Sequence, residues 1–416
     1  MKYLLIVLKV VLILSGMICP VCAGPATVVV PFVALKQEYS DNIMFSEIQE
    51  ADFITTLSGG MGLTYRTERI HAGLKGQLDQ SLYRDYDELN ALDKAASGSF
   101  SYLATERLSF SGSVRYANDS RRDRDAETTG LLLSGERDSA DVSLSSGYQF
   151  TQTVRGELTA DYGQVDIKDD DQTEDDQIFS LGVRFSKNLS EMFKNTTGLL
   201  NLNYSRYTAD EETVTTGALL TATVGQENQS DVFEVSTGFS KQVTALLSGY
   251  CLGGAALTRT EEHVNMRQTL TDTGTSVSQI MVPGESSSSI GGVLSAGLDY
   301  KGLYYDMGVS VSHDMRGASG TGGVVQRTRL SGNIRGRLTD TFTLTFDASC
   351  YLNRNDRDSQ ADTDDLTINI QPGFRYTLGQ GLVLSGVFRY TSVDDREDDM
   401  QREQKMISLL LKKEFE

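Results

Sequence analysis

The chain has 416 residues, with 57 Asp and Glu against 38 Lys and Arg, for a formal net charge of −19. That acidity excludes ordinary nucleic-acid binding, which needs a basic face. Thirty-nine glycines, five prolines and no tryptophan favour many regular strands over helices.

The N-terminus sets the compartment. Lys2 opens the apolar run "YLLIVLKVVLILSGMI", and the small residues Val21 and Ala23 suit a cut after Ala23. Residues 1–23 therefore read as a secretory signal peptide and 24–416 as the mature domain. The signal carries two lysines and no acids, so the mature charge is 36 minus 57, or −21. Cys251 and Cys350 remain, both in strand-like stretches, and read as unpaired small residues rather than a disulfide framework. No later apolar run is long enough for a transmembrane helix.

Apolar residues then alternate, one at a time, to the end of the chain. Val33, Leu35 and Tyr39 begin the pattern; Phe53, Leu57, Met61, Leu63 and Tyr65 continue it, then Ile70, Leu74, Leu78 and Leu82. Phe100 and Tyr102, Leu108 to Tyr116, Val142 to Phe150, Leu158 to Tyr162 and Phe179 to Phe185 follow. Later segments centre on Leu202, Val235, Tyr250 with Leu252, Leu294, Val309, Leu330, Leu344, Ile370, Leu384 and Leu409. These make about eighteen segments of roughly 10–14 residues, or sixteen if two weak ones are misread. A tilted membrane-crossing strand needs about 9–11 residues, whereas soluble strands average about 5–6.

Connections alternate between short and long. Short turns include "TER" at 67–69 and 105–107, "TQT" at 151–153 and "TDT" at 339–341. Long connections are acidic, as in "NDSRRDRDAETTG", "IKDDDQTEDDQ", "NRNDRDSQADTDD" and "VDDREDDMQRE"; the longest are read as loops at 207–231 and 258–288. Short periplasmic turns and long outer loops mark an all-β, transmembrane, antiparallel up-and-down barrel. In hydrocarbon every backbone polar group must be paired internally, so only closure works. Tyr65, Tyr102, Tyr116, Tyr162, Tyr204 and Tyr300 are expected in the interfacial girdles. The closing strand "MISLLLKKEFE", with Phe415 penultimate, is similar to the signal read by barrel-insertion machinery.

Strand parity assigns the lumen. Arg327, Arg329, Asn333, Arg335 and Arg337 share one face of "VVQRTRLSGNIRGRL", and Arg155, Arg184, Asp347, Arg375 and Arg389 extend a charged lining. These side chains either pair across the barrel and fill it, or line a path for polar, anionic solutes at weak sites. The acidic loops "DDDQTEDD" and "NDRDSQADTDD" lack EF-hand spacing and read as solvated faces that bridge lipopolysaccharide through divalent cations. His71, His263 and His313 accompany no nucleophile elbow, HExxH or paired-carboxylate motif, so no enzyme, resident metal or cofactor is expected.

One segment goes further. In "ALKQEYSDNIMFSE" and "DFITTLSGGMGLTYRTERI", Glu38, Tyr39, Asp41, Asn42 and Ile43, then Asp52, Phe53, Ile54 and Thr55, resemble a family of β-barrel porins associated with exosortase and exopolysaccharide gene clusters. The resemblance implies an outer-membrane pore for polysaccharide export with a periplasmic export component as partner. The alternatives are a general or nutrient porin, and a structural barrel sheathing a partner such as a cytochrome.

Overall fold

The computed structural model describes residues 26–121, 136–168, 172–216, 220–270, 276–282, 286–318, 323–354, 364–396 and 400–415. The signal at 1–23 lies outside the described residues, as do the centres of the acidic loops.

Nineteen strands make up nearly all of it. They are β1 (Ala26–Ser40), β2 (Asp52–Arg66), β3 (Ile70–Tyr83), β4 (Ala91–Leu103), β5 (Leu108–Asp119), β6 (Glu136–Gln149) and β7 (Val154–Lys168). Next come β8 (Gln172–Asn188), β9 (Thr196–Thr216), β10 (Leu220–Gln242), β11 (Leu247–Leu270), β12 (Ser276–Val282) and β13 (Ser286–Lys301). The last are β14 (Tyr305–Ala318), β15 (Gly323–Arg337), β16 (Phe342–Arg354), β17 (Asp364–Gly379), β18 (Leu382–Asp395) and β19 (Met400–Glu414). Eighteen of them form one antiparallel sheet in sequence order, closed where β1 pairs with β19 from Phe32↔Glu414 to Ser40↔Met406. The nineteenth, β12, pairs only with the upper end of β11 and stands above the wall.

The alternation places apolar side chains outside. Leu57, Leu74, Leu144, Leu158, Phe233, Leu298 and Leu409 are all exposed, the reverse of a soluble core. Their band is bounded by two aromatic belts, with Tyr102 and Tyr300 near the short turns, and Tyr162 and Tyr204 near the other end. Tyr204 stacks on Phe233 at 4.8 Å. Just above it, Asp231 accepts bonds from Tyr204 Oη at 2.7 Å and Arg206 Nε at 2.8 Å, a charged rim at headgroup height.

Five of the short turns share a device that explains the charged tripeptides. Thr67 Oγ1 accepts the Ile70 amide at 2.9 Å, and Thr105 Oγ1 the Leu108 amide at 3.0 Å. Thr151, Thr244 and Thr339 cap the amides of Val154, Leu247 and Phe342 in the same way. A threonine three residues before the next strand thus satisfies an amide that the ladder leaves open. The β17–β18 turn instead uses Gly379 and Gly381 at φ of 101° and 72°.

Three expectations change. The stretches 207–231 and 258–288 are largely strand, because β9, β10 and β11 run on beyond the apolar band as a paired extension. Tyr250 and Leu252 belong to the inner face: the Tyr250 ring lies over Gly297, whose neighbours Leu294 and Leu298 face out. Alternation on either side of "TER" also suggests Tyr65 opposite Ile70 on the lipid face, but Tyr65 pairs with Ala72, because Ile70 closes the turn on Thr67.

Candidate functional site: a polar lumen crossed near its outer end

The inner face is built of small polar residues in cross-strand pairs. Ser111 and Ser145 meet at 2.6 Å, Ser180 and Ser205 at 2.9 Å, and Ser310 and Ser331 at 2.8 Å. Small side chains leave the bore open. A lumenal cavity of about 660 Å³ is lined by Lys36, Lys75, Asp79, Asp93, Arg115 and Arg389 among others. It was invisible in sequence because its lining comes from strands far apart in the chain.

The arginine strand keeps its residues on one face of β15, but they do not act alike. Arg327 is buried, with Nε donating to Asn353 Oδ1 at 3.0 Å. The Arg329 guanidinium sits 5.1 Å from the Tyr351 ring centre. Arg337 Nη2 lies 3.4 Å from Asp306 Oδ2. Arg335 is exposed and has no ion-pair partner among the described residues; the same holds for Arg155, Arg375 and Asp347. Arg184 Nε donates to Asn201 Oδ1 at 3.0 Å, and Arg389 Nη1 approaches Met406 Sδ at 3.9 Å. Asn333 Oδ1 stands over Gly308, where a Cβ would come within 2.6 Å of it. Some of these charges are tied to the wall, and others stand clear in the bore.

Two features cross the outer half of the lumen. The first is the connection 41–51, which contains part of the recognisable "EYSDNI" segment. Fully buried Asn42 donates Nδ2 to Ser46 O at 2.7 Å and Glu403 O at 2.9 Å, and its Oδ1 accepts the Ser46 amide at 3.1 Å. Gln404 Nε2 donates to Asn42 O at 2.7 Å, and Lys405 and Asp41 exchange two further bonds. These contacts turn the connection inward, so that Phe45 packs on Val393 of β18. Below it, Glu38 holds Lys36 at 2.6 Å and Arg121 at 3.8 Å.

The second is the outer end of β14 with the start of β15, around Met315 and Val324. Met315 shares parity with the lipid-facing Met307 and Val309, which are 42% and 49% exposed, yet Met315 is only 8% exposed. It packs on Val232 of β10 and Ala256 of β11, with Tyr207, Val293 and Val324 around them. Thr258 Oγ1 donates to Met315 Sδ at 2.9 Å. Val232, Ala256 and Val293 all lie on the inner face. The outer end of β14 therefore lies inside the wall, with the face that parity would turn to lipid laid against it. Asp314 and Arg316, paired at 2.9 Å, lie on the opposite face of the same strand.

The three histidines are dispersed. His71 Nε2 accepts from Arg66 Nε, His313 bonds Thr328, and His263 lies on the extension.

An all-β closed barrel of eighteen strands, apolar outside and polar within, is the architecture of an outer-membrane protein. No protein-family model matches the chain, and no curated protein matches it. Solved structures similar to it include the ferric citrate transporter FecA in unliganded form, at 10% identity and TM-score 0.43, covering 88% of this chain and 60% of that one. The chain thus spans less than two thirds of that transporter. The ferric yersiniabactin uptake receptor FyuA from Yersinia pestis aligns at 9% identity and TM-score 0.44, covering 93% and 80%. The ferric-catecholate import receptor Fiu from E. coli K12 aligns at 7% and 0.49, covering 92% and 81%. At these values the likeness is one of barrel architecture alone.

Proposed function

We propose that the chain is an outer-membrane pore for export of an exopolysaccharide, closed at rest. Barrels of about 16–18 strands enclose an aqueous channel. The observation that carries the reading is the pair of crossings over the outer half of the bore, by 41–51 and by the outer end of β14. A general porin works with a standing opening, whereas an exporter must stay shut until polymer arrives. The serine-lined inner face, with Arg335 and Arg375 that have no ion-pair partner among the described residues, suits a hydroxyl-rich or acidic chain held at weak, repeated sites. The resemblance of Glu38–Ile43 and Asp52–Thr55 to exopolysaccharide-associated barrels supports the same substrate. A periplasmic export component would dock at the short-turn rim.

Planar-bilayer recording tests this. The purified barrel should be silent or flicker rarely, and should open when polymer or the periplasmic partner is added. Stable open channels at rest would instead establish a general porin, and silence under every condition would remove both readings and favour a structural barrel.

A further inference from the structure

With the outer end of β14 inside the wall, the described residues show a break in it. β13 and β14 are paired from Lys301↔Asp306 to Leu294↔His313 and no further. Above that point β14 continues to Ala318 paired with β15 alone. The upper part of β13, from Ser286, pairs with β11 alone. Unpaired strand edges are costly in hydrocarbon, and closed barrels avoid them.

On its β13 side the break begins within the lipid-facing band. On β13 the outward residues Tyr300, Leu298, Leu294 and Ile290 are all exposed, and Ile290, at 79%, stands beside the unpaired stretch. Leu257, its cross-strand partner on β11, also faces out. Directly behind the seam, inside the barrel, lies the cluster of Val232, Ala256, Val293, Met315 and Val324. In a lumen lined mainly by Ser, Arg and Asp, this apolar patch coincides with the seam. Outside and below it, an apolar groove of about 420 Å³ runs over Leu298, Met307, Val309, Ile334 and Phe346.

We infer that this seam is a lateral portal between the outer leaflet and the lumen, that it takes a lipid acyl chain, and that the outer end of β14 around Met315 is its door. The occupant follows from position and chemistry. The inner lining is the cluster around Met315 and the β13 rim is apolar up to Ile290, with the bonded pair His313 and Thr328 on the β14 side; so apolar a path opening into the bilayer suits an acyl chain better than a sugar or an ion, and the molecules that stand against it are lipids. Met315 is the latch. A Cβ on Gly291 would lie 2.6 Å from Met315 Cε and 3.7 Å from Cγ, so the thioether seals the edge of β13 at the point where pairing stops. Its flexible side chain can withdraw without dragging backbone.

The test uses the full barrel in liposomes, with Cys251→Ser and Cys350→Ser removing the native thiols. A single cysteine is placed behind the door by Ala256→Cys, or by Val293→Cys should the first variant not fold, and on the far lumen wall by Ser58→Cys. A maleimide carried on a phospholipid acyl chain should label the first several times faster than Ser58→Cys, and Met315→Ala should raise that rate further. Water-soluble maleimide reports whether each thiol is open to the bore. Equal labelling of the two sites by the lipid-bound reagent would overturn the portal, as would labelling behind the door by the soluble reagent alone or by neither. Access of this kind does not depend on ion conduction, so the portal and the export reading stand or fall separately.

Discussion

Replacing Asn42 with Ala should release the inner crossing formed by 41–51. The side chain makes three hydrogen bonds, to Ser46 O, Glu403 O and the Ser46 amide, at 2.7, 2.9 and 3.1 Å. Its own carbonyl and amide still bond Gln404 and Ser40 in the variant. Asn42 is fully buried, so its abandoned partners regain little from water. At about 1 kcal/mol net for each bond, the loss is about 3 kcal/mol. Urea unfolding in detergent, followed by heat-modifiable gel migration, measures the change, with Asn188→Ala, which ends β8 and loses one exposed bond from the Ser190 amide, as the comparison. The same variant should open far more often in bilayers, because Phe45 loses the anchor that holds it on Val393. A stability loss below about 1 kcal/mol together with unchanged gating would refute the claim that Asn42 pins the crossing.

Three other outcomes are expected. Thr105→Val removes the side-chain acceptor of the Leu108 and Arg107 amides at 3.0 and 3.2 Å, leaving Leu108 the longer bond to the Thr105 carbonyl at 3.3 Å, and should cost about 0.5–1 kcal/mol in the same unfolding assay, discounted for exposure. Replacing Arg327, Arg329, Arg335 and Arg337 together with Gln should lower the anion-to-cation permeability ratio of open channels by about threefold or more, read from reversal potentials, and an unchanged ratio would count against an arginine path. On the outer extension, burial first and the facing Glu227 carboxylate second hold Asp210 above the usual carboxylate range. A raised acid pKa means the folded state binds the proton more tightly, so the penalty is full above that pKa and is relieved as pH falls towards about 4. Amide protection at Thr208 and Gln229 should therefore rise on acidification, and Glu227→Gln should flatten that rise.

Much of the architecture is written in local pattern. Period-two alternation names which side chains face lipid, since successive residues of a strand point to opposite faces whatever the strand packs against. That is why Leu57, Leu74 and Leu158 could be assigned outward from the sequence, and why the strand count of eighteen was within reach. The turns are legible for a similar reason, because a threonine cap needs only the next three residues.

Parity cannot report where a strand stands in space. Met315 continues the outward series of Met307 and Val309, and nothing in its neighbours marks the point at which β14 leaves β13. The inward position of Met315 is decided by Val232, Ala256 and Val293, which lie 22 to 83 residues away along the chain and meet it only once the barrel closes. Asn42 is similar: its pattern is recognisable, but its bond to the Glu403 carbonyl spans 361 residues across the β1–β19 closure. The sequence by itself determined a lipid-facing barrel with a polar bore. Tertiary structure alone decided that the bore is crossed and that the wall parts beside Ile290, because both depend on contacts that no local repeat encodes.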